Sequence, residues 1–130
     1  MIVLDASIVV HVCIDSEDGD DVLKQIFDQP TALAAPDVIS LEFIQVMRRY
    51  VRIGRMTLEQ SQFAFTSFDR LGLNIYAHAT LRDRIWSLRD NLTAYDAAYF
   101  ALAEQLGAPL WTRDRKFAEI PNHAVEVKIL

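Results

Sequence analysis

Apolar residues fall in short blocks, and the polar residues between them repeat at helical or alternating spacing. The first block, Ile2, Val3 and Leu4, stops on Asp5 and reads as a buried strand with an acid at its carboxyl end. Ser7 to Ile14 is apolar nearly all round and predicts a short helix packed on both sides. The acidic stretch Asp15 to Asp21 reads as a solvated loop. Its Asp20 and Asp21 fall in the first turn of a helix over Val22 to Asp28, where negative charge suits the helix dipole. Thr31 to Ala35 predicts a second strand. Pro36 then turns the chain into a helix with Ile39, Phe43, Val46, Met47 and Tyr50 inward, Glu42 at the edge of that face, and a stop at Gly54. Thr57 and Gln60 form a capping-box pattern opening a helix through Phe63, Phe65, Phe68 and Leu71 to Gly72. Asn74 to Ala77 predicts a third strand. Thr80 and Asp83 open a helix to Asp90 with Leu81, Ile85, Trp86 and Leu88 inward and Arg82, Arg84 and Arg89 outward. Thr93 and Asp96 again suggest a capping box, for a helix ending at Gly107. Leu110 to Thr112 predicts a fourth strand, also closed by an acid, Asp114. Val125 to Ile129 predicts the last.

Strands separated by long helical segments make an α/β fold, a parallel central sheet flanked by helices on both faces, within one domain over residues 1–130. A chain of this size buries roughly two-thirds of its unfolded surface, enough for a full core. Hydrophobic residues are 52% of the chain. No apolar run approaches the roughly 20 residues of a membrane span, and the amino terminus starts directly in a strand, so the expected location is the cytoplasm without membrane association. Cys13 stands alone among apolar neighbours, which excludes a disulfide framework or cysteine metal site and predicts a buried small hydrophobe. A net charge of −5 argues against a generic nucleic-acid coat. Ten of the thirteen cations are Arg, however, the residue suited to bidentate phosphate contacts.

The chemistry rests on isolated acids. There is no Gly-rich phosphate loop, no Gly-x-Ser-x-Gly elbow and no Cys or His ligand cluster, and His11, His78 and His123 read as structural. A calcium loop from Asp15 fails, because Gly19 is fifth rather than sixth and the twelfth position is Ile26. Asp5 and Asp114 follow parallel strands, while Glu42 and Asp96 lie near the amino ends of helices leaving the same sheet edge, where ligands bind in open α/β sheets. Each also has an ordinary capping explanation. Two carboxylates about 4 Å apart repel by roughly 4 kcal/mol at an effective dielectric of 20, so convergence of all four calls for a cation. Oxygen-only ligands select Mg²⁺ or Mn²⁺, and such a site suits phosphoester hydrolysis.

Val3-Leu4-Asp5-Ala6-Ser7, Glu42, Leu92-Thr93-Ala94-Tyr95-Asp96-Ala97 and Thr112-Arg113-Asp114 together resemble a PIN-domain ribonuclease of the VapC toxin type, from end to end of the chain. The resemblance implies a PIN-like three-layer fold with Asp5, Glu42, Asp96 and Asp114 as metal-binding catalytic acids. Thr112 is implied as a supporting hydroxyl, with Ser7 in a similar role. It also implies Mg²⁺-dependent endonucleolytic cleavage of structured RNA such as transfer or ribosomal RNA, and inhibition by a cognate antitoxin in a type II toxin–antitoxin system.

Arg113 and Arg115 flank Asp114 and are candidates for holding substrate phosphates, with Arg48, Arg49 and Arg52 more distant. Helices 37 to 53 and 57 to 71 offer a surface to an antitoxin, or to a second copy in a homodimer through Phe63, Phe65 and Phe68. Two other acid-lined folds do not fit. A phosphoacceptor receiver needs an Asp ending the third strand, where Ala77, His78 and Ala79 stand, and a haloacid-dehalogenase-type phosphatase needs an Asp at Ser7. The non-enzymatic alternative is a catalytically silent PIN-like binding or scaffold module.

Overall fold

The computed structural model describes every residue except Asp15, so the start of the acidic stretch lies outside the described residues. The strands are β1 (Ile2–Leu4), β2 (Leu33–Pro36), β3 (Asn74–Tyr76), β4 (Leu110–Thr112) and β5 (Val127–Ile129). The helices are α1 (Ala6–Cys13), α2 (Gly19–Phe27), α3 (Val38–Arg52), α4 (Leu58–Arg70), α5 (Arg82–Ser87) and α6 (Ala94–Leu106), with 3₁₀ turns at Ala79–Leu81 and Arg115–Glu119. All strand pairings are parallel, in the order β3-β2-β1-β4-β5. Register pairs Val3 with Ala34 on one side and with Leu110 on the other. The apolar β1 and β4 are buried throughout, as strands covered on both faces must be, whereas the edge strands carry Asn74 and Lys128 and are partly exposed.

From β1 the chain steps through β2 to β3 in one direction and returns across β1 to β4 in the other. Right-handed crossovers then put α1 to α4 on one face and α5 and α6 on the opposite one. The packing agrees: α1 lies against α2, α3 and α4, while α6 lies against β1, β2 and α5. The result is the expected three-layer arrangement. Reversal of strand order between β1 and β4 opens a crevice at their carboxyl ends, the place where Asp5 and Asp114 follow.

Local chemistry sets the helix ends. Thr57 and Gln60 make both bonds of the capping box, at 3.1 and 2.9 Å. The Val38 N–H that opens α3 donates to His78 Nε2 at 2.9 Å, so this histidine does the capping that Asp37 does not. His123 accepts from Val125 N–H at 3.1 Å and sets its ring edge-on against Phe100. Cys13 is buried, and burial pushes its thiol up to about 12, which leaves it unreactive.

Residues 80 to 90 depart from the expected single helix. Arg84 Nη1 donates to Ser87 Oγ, and that hydroxyl donates to the Arg84 carbonyl, a local bond that competes with continuation of the helix, which stops at Ser87. Trp86 is 69% exposed instead of inward, with the Arg89 guanidinium 4.7 Å from its ring centre. Arg84 is not outward: it grips Glu104 of α6 bidentately at 2.6 and 2.8 Å. On α4, Phe68 packs on buried Phe43, but Phe63 is exposed and Phe65 partly so. Among the described residues, no helix is long and apolar enough to cross a membrane.

Candidate active site

Asp5 occupies the N-cap position of α1 with extended backbone, yet its side chain makes no capping bond. Its carboxylate is buried and turned into the crevice, where Oδ2 accepts from Ser7 Oγ at 2.6 Å and Thr112 Oγ1 at 2.8 Å. Each hydroxyl is itself held by the loop after β4. Arg113 N–H donates to Ser7 Oγ and Asp114 N–H to Thr112 Oγ1, both at 3.0 Å. Two relays therefore run from loop backbone through a hydroxyl to one carboxylate oxygen, and they fix Asp114 relative to Asp5. Thr112 and Ser7, expected as supporting hydroxyls, stand in that geometry.

Glu42, on the second turn of α3, is half-buried at the edge of its helix's apolar face. Tyr99, fully buried on α6, reaches it from the layer across the sheet and donates its phenol to Glu42 Oε1 at 2.6 Å. Asp96 lies at the start of α6, where Thr93 Oγ1 accepts its N–H at 3.2 Å and donates to Asp96 Oδ2 at 3.0 Å. The carboxylate does not fold back onto the Thr93 backbone, as the longer Glu of a full capping box does. It points instead to Lys116, whose Nζ lies 2.7 Å from Asp96 Oδ2 and 2.9 Å from Asp114 Oδ2. Asp114 Oδ1 accepts the Lys116 N–H at 3.0 Å.

Lys116 and Tyr99 are the two site residues that sequence reasoning missed. Their signals were present but weak: Lys116 follows Asp114 by two residues in a 3₁₀ turn, and Tyr99 follows Asp96 by three on one helix face. Of the candidate arginines, Arg113 and Arg49 line a groove between α1 and α3 that opens at Ser7 and Glu42. Arg113 keeps one distant partner, Asp18, at 3.7 Å. Arg115 is exposed beside the site, and Arg48 and Arg52 lie outside the groove lining.

The electrostatics show what the site lacks. Burial raises the Asp5 carboxyl above its ordinary value; the Ser7 and Thr112 hydroxyls oppose this and the charge of Asp96 adds to it. Glu42 is raised in the same way by burial, against the Tyr99 hydrogen bond, with Asp5 and Asp96 adding repulsion and Lys116 relieving some. At Asp114, partial burial is outweighed by the hydrogen bonds and charge of Lys116, and the carboxyl falls below the usual range. Lys116 thus serves Asp96 and Asp114 directly and Glu42 through its charge, while Asp5 is held by neutral hydroxyls. The donor set is all oxygen and its excess negative charge is uncompensated, which fits a hard divalent cation. Among the described residues, however, no three acids are gathered closely enough to hold one ion as they stand.

These shifts have a sign that can be measured. Asp5 and Glu42 bind a proton more tightly in the folded chain than in the unfolded one. The stability this gives is complete below their ordinary values of 3.8 and 4.5 and is lost as pH rises through the folded values. Asp5→Asn and Glu42→Gln keep an acceptor oxygen for the hydroxyls and remove the charge. At pH 7 without divalent cation each is expected to melt a few degrees higher, at roughly 3–5 °C per kcal/mol for a chain of this size. The gain should vanish below about pH 4. Calorimetry finding both variants no more stable than the parent at pH 7 would sink this account of the charge balance.

The PIN domain profile matches residues 2–122 of the chain. Ribonuclease VapC1 of Mycobacterium tuberculosis is 33% identical over 129 residues, covering 98% of this chain and 96% of that protein. Among solved structures, M. tuberculosis VapC20, described as a sarcin-ricin loop cleaving toxin, aligns with a TM-score of 0.71 at 14% identity over 97% of this chain and 99% of that one. Rickettsia felis VapBC2, solved bound to a DNA fragment from its promoter, gives a TM-score of 0.73 at 20% identity over 98% of each chain. The structural likenesses establish the fold, and the sequence matches establish descent: the chain belongs to the PIN-domain family, among the VapC ribonucleases.

Proposed function

We propose that this protein is the toxin of a type II toxin–antitoxin system, acting in the cytoplasm as an endoribonuclease that hydrolyses RNA phosphodiester bonds with Mg²⁺, or Mn²⁺ in its place. The observation that supports the reading is that Asp5, Glu42 and Asp96 lie near enough at the β1/β4 crevice to repel one another, with Asp114 joined to Asp96 through Lys116. Asp5, Glu42, Asp96 and Asp114 would hold the cation, which when bound supplies polarisation of the scissile phosphate and a more acidic attacking water. Asp5 is held by Ser7 and Thr112, and Glu42 by Tyr99, so these two acids need little reorganisation. Asp96 and Asp114, held by the flexible Lys116, would adjust around substrate. Lys116 neutralising two of the acids favours the silent scaffold reading, but such a module has no use for carboxyls at Asp5 and Glu42, placed where burial disfavours their charge.

RNA cleavage is expected to need Mg²⁺ or Mn²⁺ and to leave 5′-phosphate and 3′-hydroxyl ends. Asp5→Asn should fold and lose activity by about 10²-fold or more. Undiminished cleavage in excess EDTA, or 2′,3′-cyclic phosphate ends, would be evidence that the RNA's own hydroxyl is the nucleophile.

Arg113 is the better placed of the two arginines proposed to hold substrate phosphates, since it lines the groove and its Asp18 partner is distant. Arg113→Ala should weaken binding of a structured RNA, transfer or ribosomal, and lower the slope of log affinity against log salt by about one. An unchanged affinity and slope for both Arg113→Ala and Arg115→Ala would remove the arginines from the substrate site.

A cytoplasmic ribonuclease needs restraint, and the proposed agent is a cognate antitoxin. The groove between α1 and α3 exposes Leu41 and Ile44 beside Val10 and Ile14, a receptor for the apolar face of a helix. At its end, Asp96 and Asp114 accept a primary ammonium from Lys116, so a basic side chain from a partner suits them too. Exposed Leu58 and Phe63 on α4 are offered to a second copy. Co-expression with the small neighbouring open reading frame should yield a complex containing a toxin dimer and no cleavage activity. A strictly monomeric toxin that neither co-purifies with that product nor is relieved by it would overturn this account of control.

A further inference from the structure

Lys116 makes contacts that a phosphate-binding lysine would not need. Its ammonium sits on Asp96 Oδ2 and Asp114 Oδ2 at 2.7 and 2.9 Å, tying the start of α6 to the turn after β4. Asp114 is doubly committed to this one residue, through Oδ1 to the Lys116 N–H and through Oδ2 to the ammonium. Asp96 Oδ2 accepts from Thr93 as well. Glu42 feels the same positive charge. A Mg²⁺ ion takes oxygen ligands at about 2.0–2.1 Å in a tight octahedron. The oxygens of Asp96 and Asp114 cannot close to that distance around an ion while an ammonium stands between them. That Lys116 spaces these acids is in keeping with the absence, among the described residues, of any three acids close enough to ligate together.

We infer that Lys116 is an internal stand-in for the divalent cation: it holds Asp96 and Asp114 in register, and its ammonium leaves both carboxylates when the ion binds. Lys116 is a positioning residue in this account, and the inference rests on the reading that the four carboxylates take a divalent ion. The side chain is free to make the exchange. It is 42% exposed on a flexible four-carbon stem and stands on a short 3₁₀ turn, so the ammonium can swing to solvent. An internal competitor lowers apparent metal affinity by the fraction of molecules in which it holds the site, and removing it removes that tax.

The test is Mn²⁺ binding to the full chain, by calorimetry and electron paramagnetic resonance, together with the side-chain ¹⁵N signal of Lys116 during Mg²⁺ titration. Only three lysines are present, so Lys24 and Lys128 serve as internal references. Lys116→Met is expected to bind Mn²⁺ about tenfold more tightly than the parent. Lys116→Arg, which keeps a competing cation, should stay near the parent value. The Lys116 ammonium signal should move on Mg²⁺ addition while the references stay still. Lys116→Met with unchanged or weaker Mn²⁺ affinity would overturn the inference. So would a Lys116 signal that stays still while the parent binds Mg²⁺, a result that does not depend on any variant folding. If Asp5→Asn and Asp114→Asn bind Mn²⁺ as well as the parent, or the parent binds none, the four-carboxylate reading fails first and takes this one with it.

Discussion

A carboxylate buried at the centre of a sheet edge must be hydrogen-bonded or it will protonate or unfold its surroundings, and the answer to that constraint at Asp5 organises much of what lies around it. Ser7 and Thr112 supply two hydroxyl protons to one oxygen. A hydroxyl that donates inward must accept from elsewhere, and the nearest donors are the backbone N–H groups of Arg113 and Asp114. Satisfying one acid thereby fixes the course of the loop that carries another. The small side chains at positions 7 and 112 are needed for their donors, and for a reach short enough to bring β1 and the end of β4 together.

The sheet makes this possible because β1 is central and β4 is its neighbour. Had the chain continued outward from β3, the acid after β4 would have followed an edge strand, far from Asp5. Reversal of direction also divides the helices, so Glu42 approaches from one layer and Asp96 from the other. Tyr99 crosses between those layers to hold Glu42. Burial and the nearby carboxylates raise its phenol well above the ordinary value, so it remains a proton donor at any physiological pH.

Much of this was legible because strands and acids leave plain marks in a sequence. Leu4 followed by Asp5, and Thr112 followed two residues later by Asp114, show where buried strands end. Helical spacing located Glu42 and Asp96 because a helix in a sheet protein must show its apolar face. Lys116 was not legible in the same way, since an exposed-looking Lys between Arg115 and Phe117 has no periodicity to betray an inward ammonium. His78 was hidden for a related reason. Its partner Val38 is forty residues earlier, and only strand pairing brings them together. Trp86 misled because its size suggests a core residue, but the helix carrying it stops at Ser87 and leaves that face to solvent.

The four acids divide by how firmly they are held. Asp5 and Glu42 are oriented by neutral hydroxyls and pay for burial with raised proton affinity. Asp96 and Asp114 are held by a flexible cation near the surface. In the proposed reaction, in which the site would bind an ion, admit a bulky RNA and release cut ends, this asymmetry would be an advantage. The firmly held Asp5 and Glu42 would then preserve geometry between turnovers, and Asp96 and Asp114 would follow the substrate. The groups each acid meets dictate which is which: Asp5 and Glu42 meet neutral hydroxyls inside the fold, whereas Asp96 and Asp114, at the openings of α6 and the 3₁₀ turn, meet the ammonium of Lys116. The division among the carboxylates thus follows from the donors each one meets, and it depends on the hydroxyls of Ser7, Thr112 and Tyr99 rather than on their size alone.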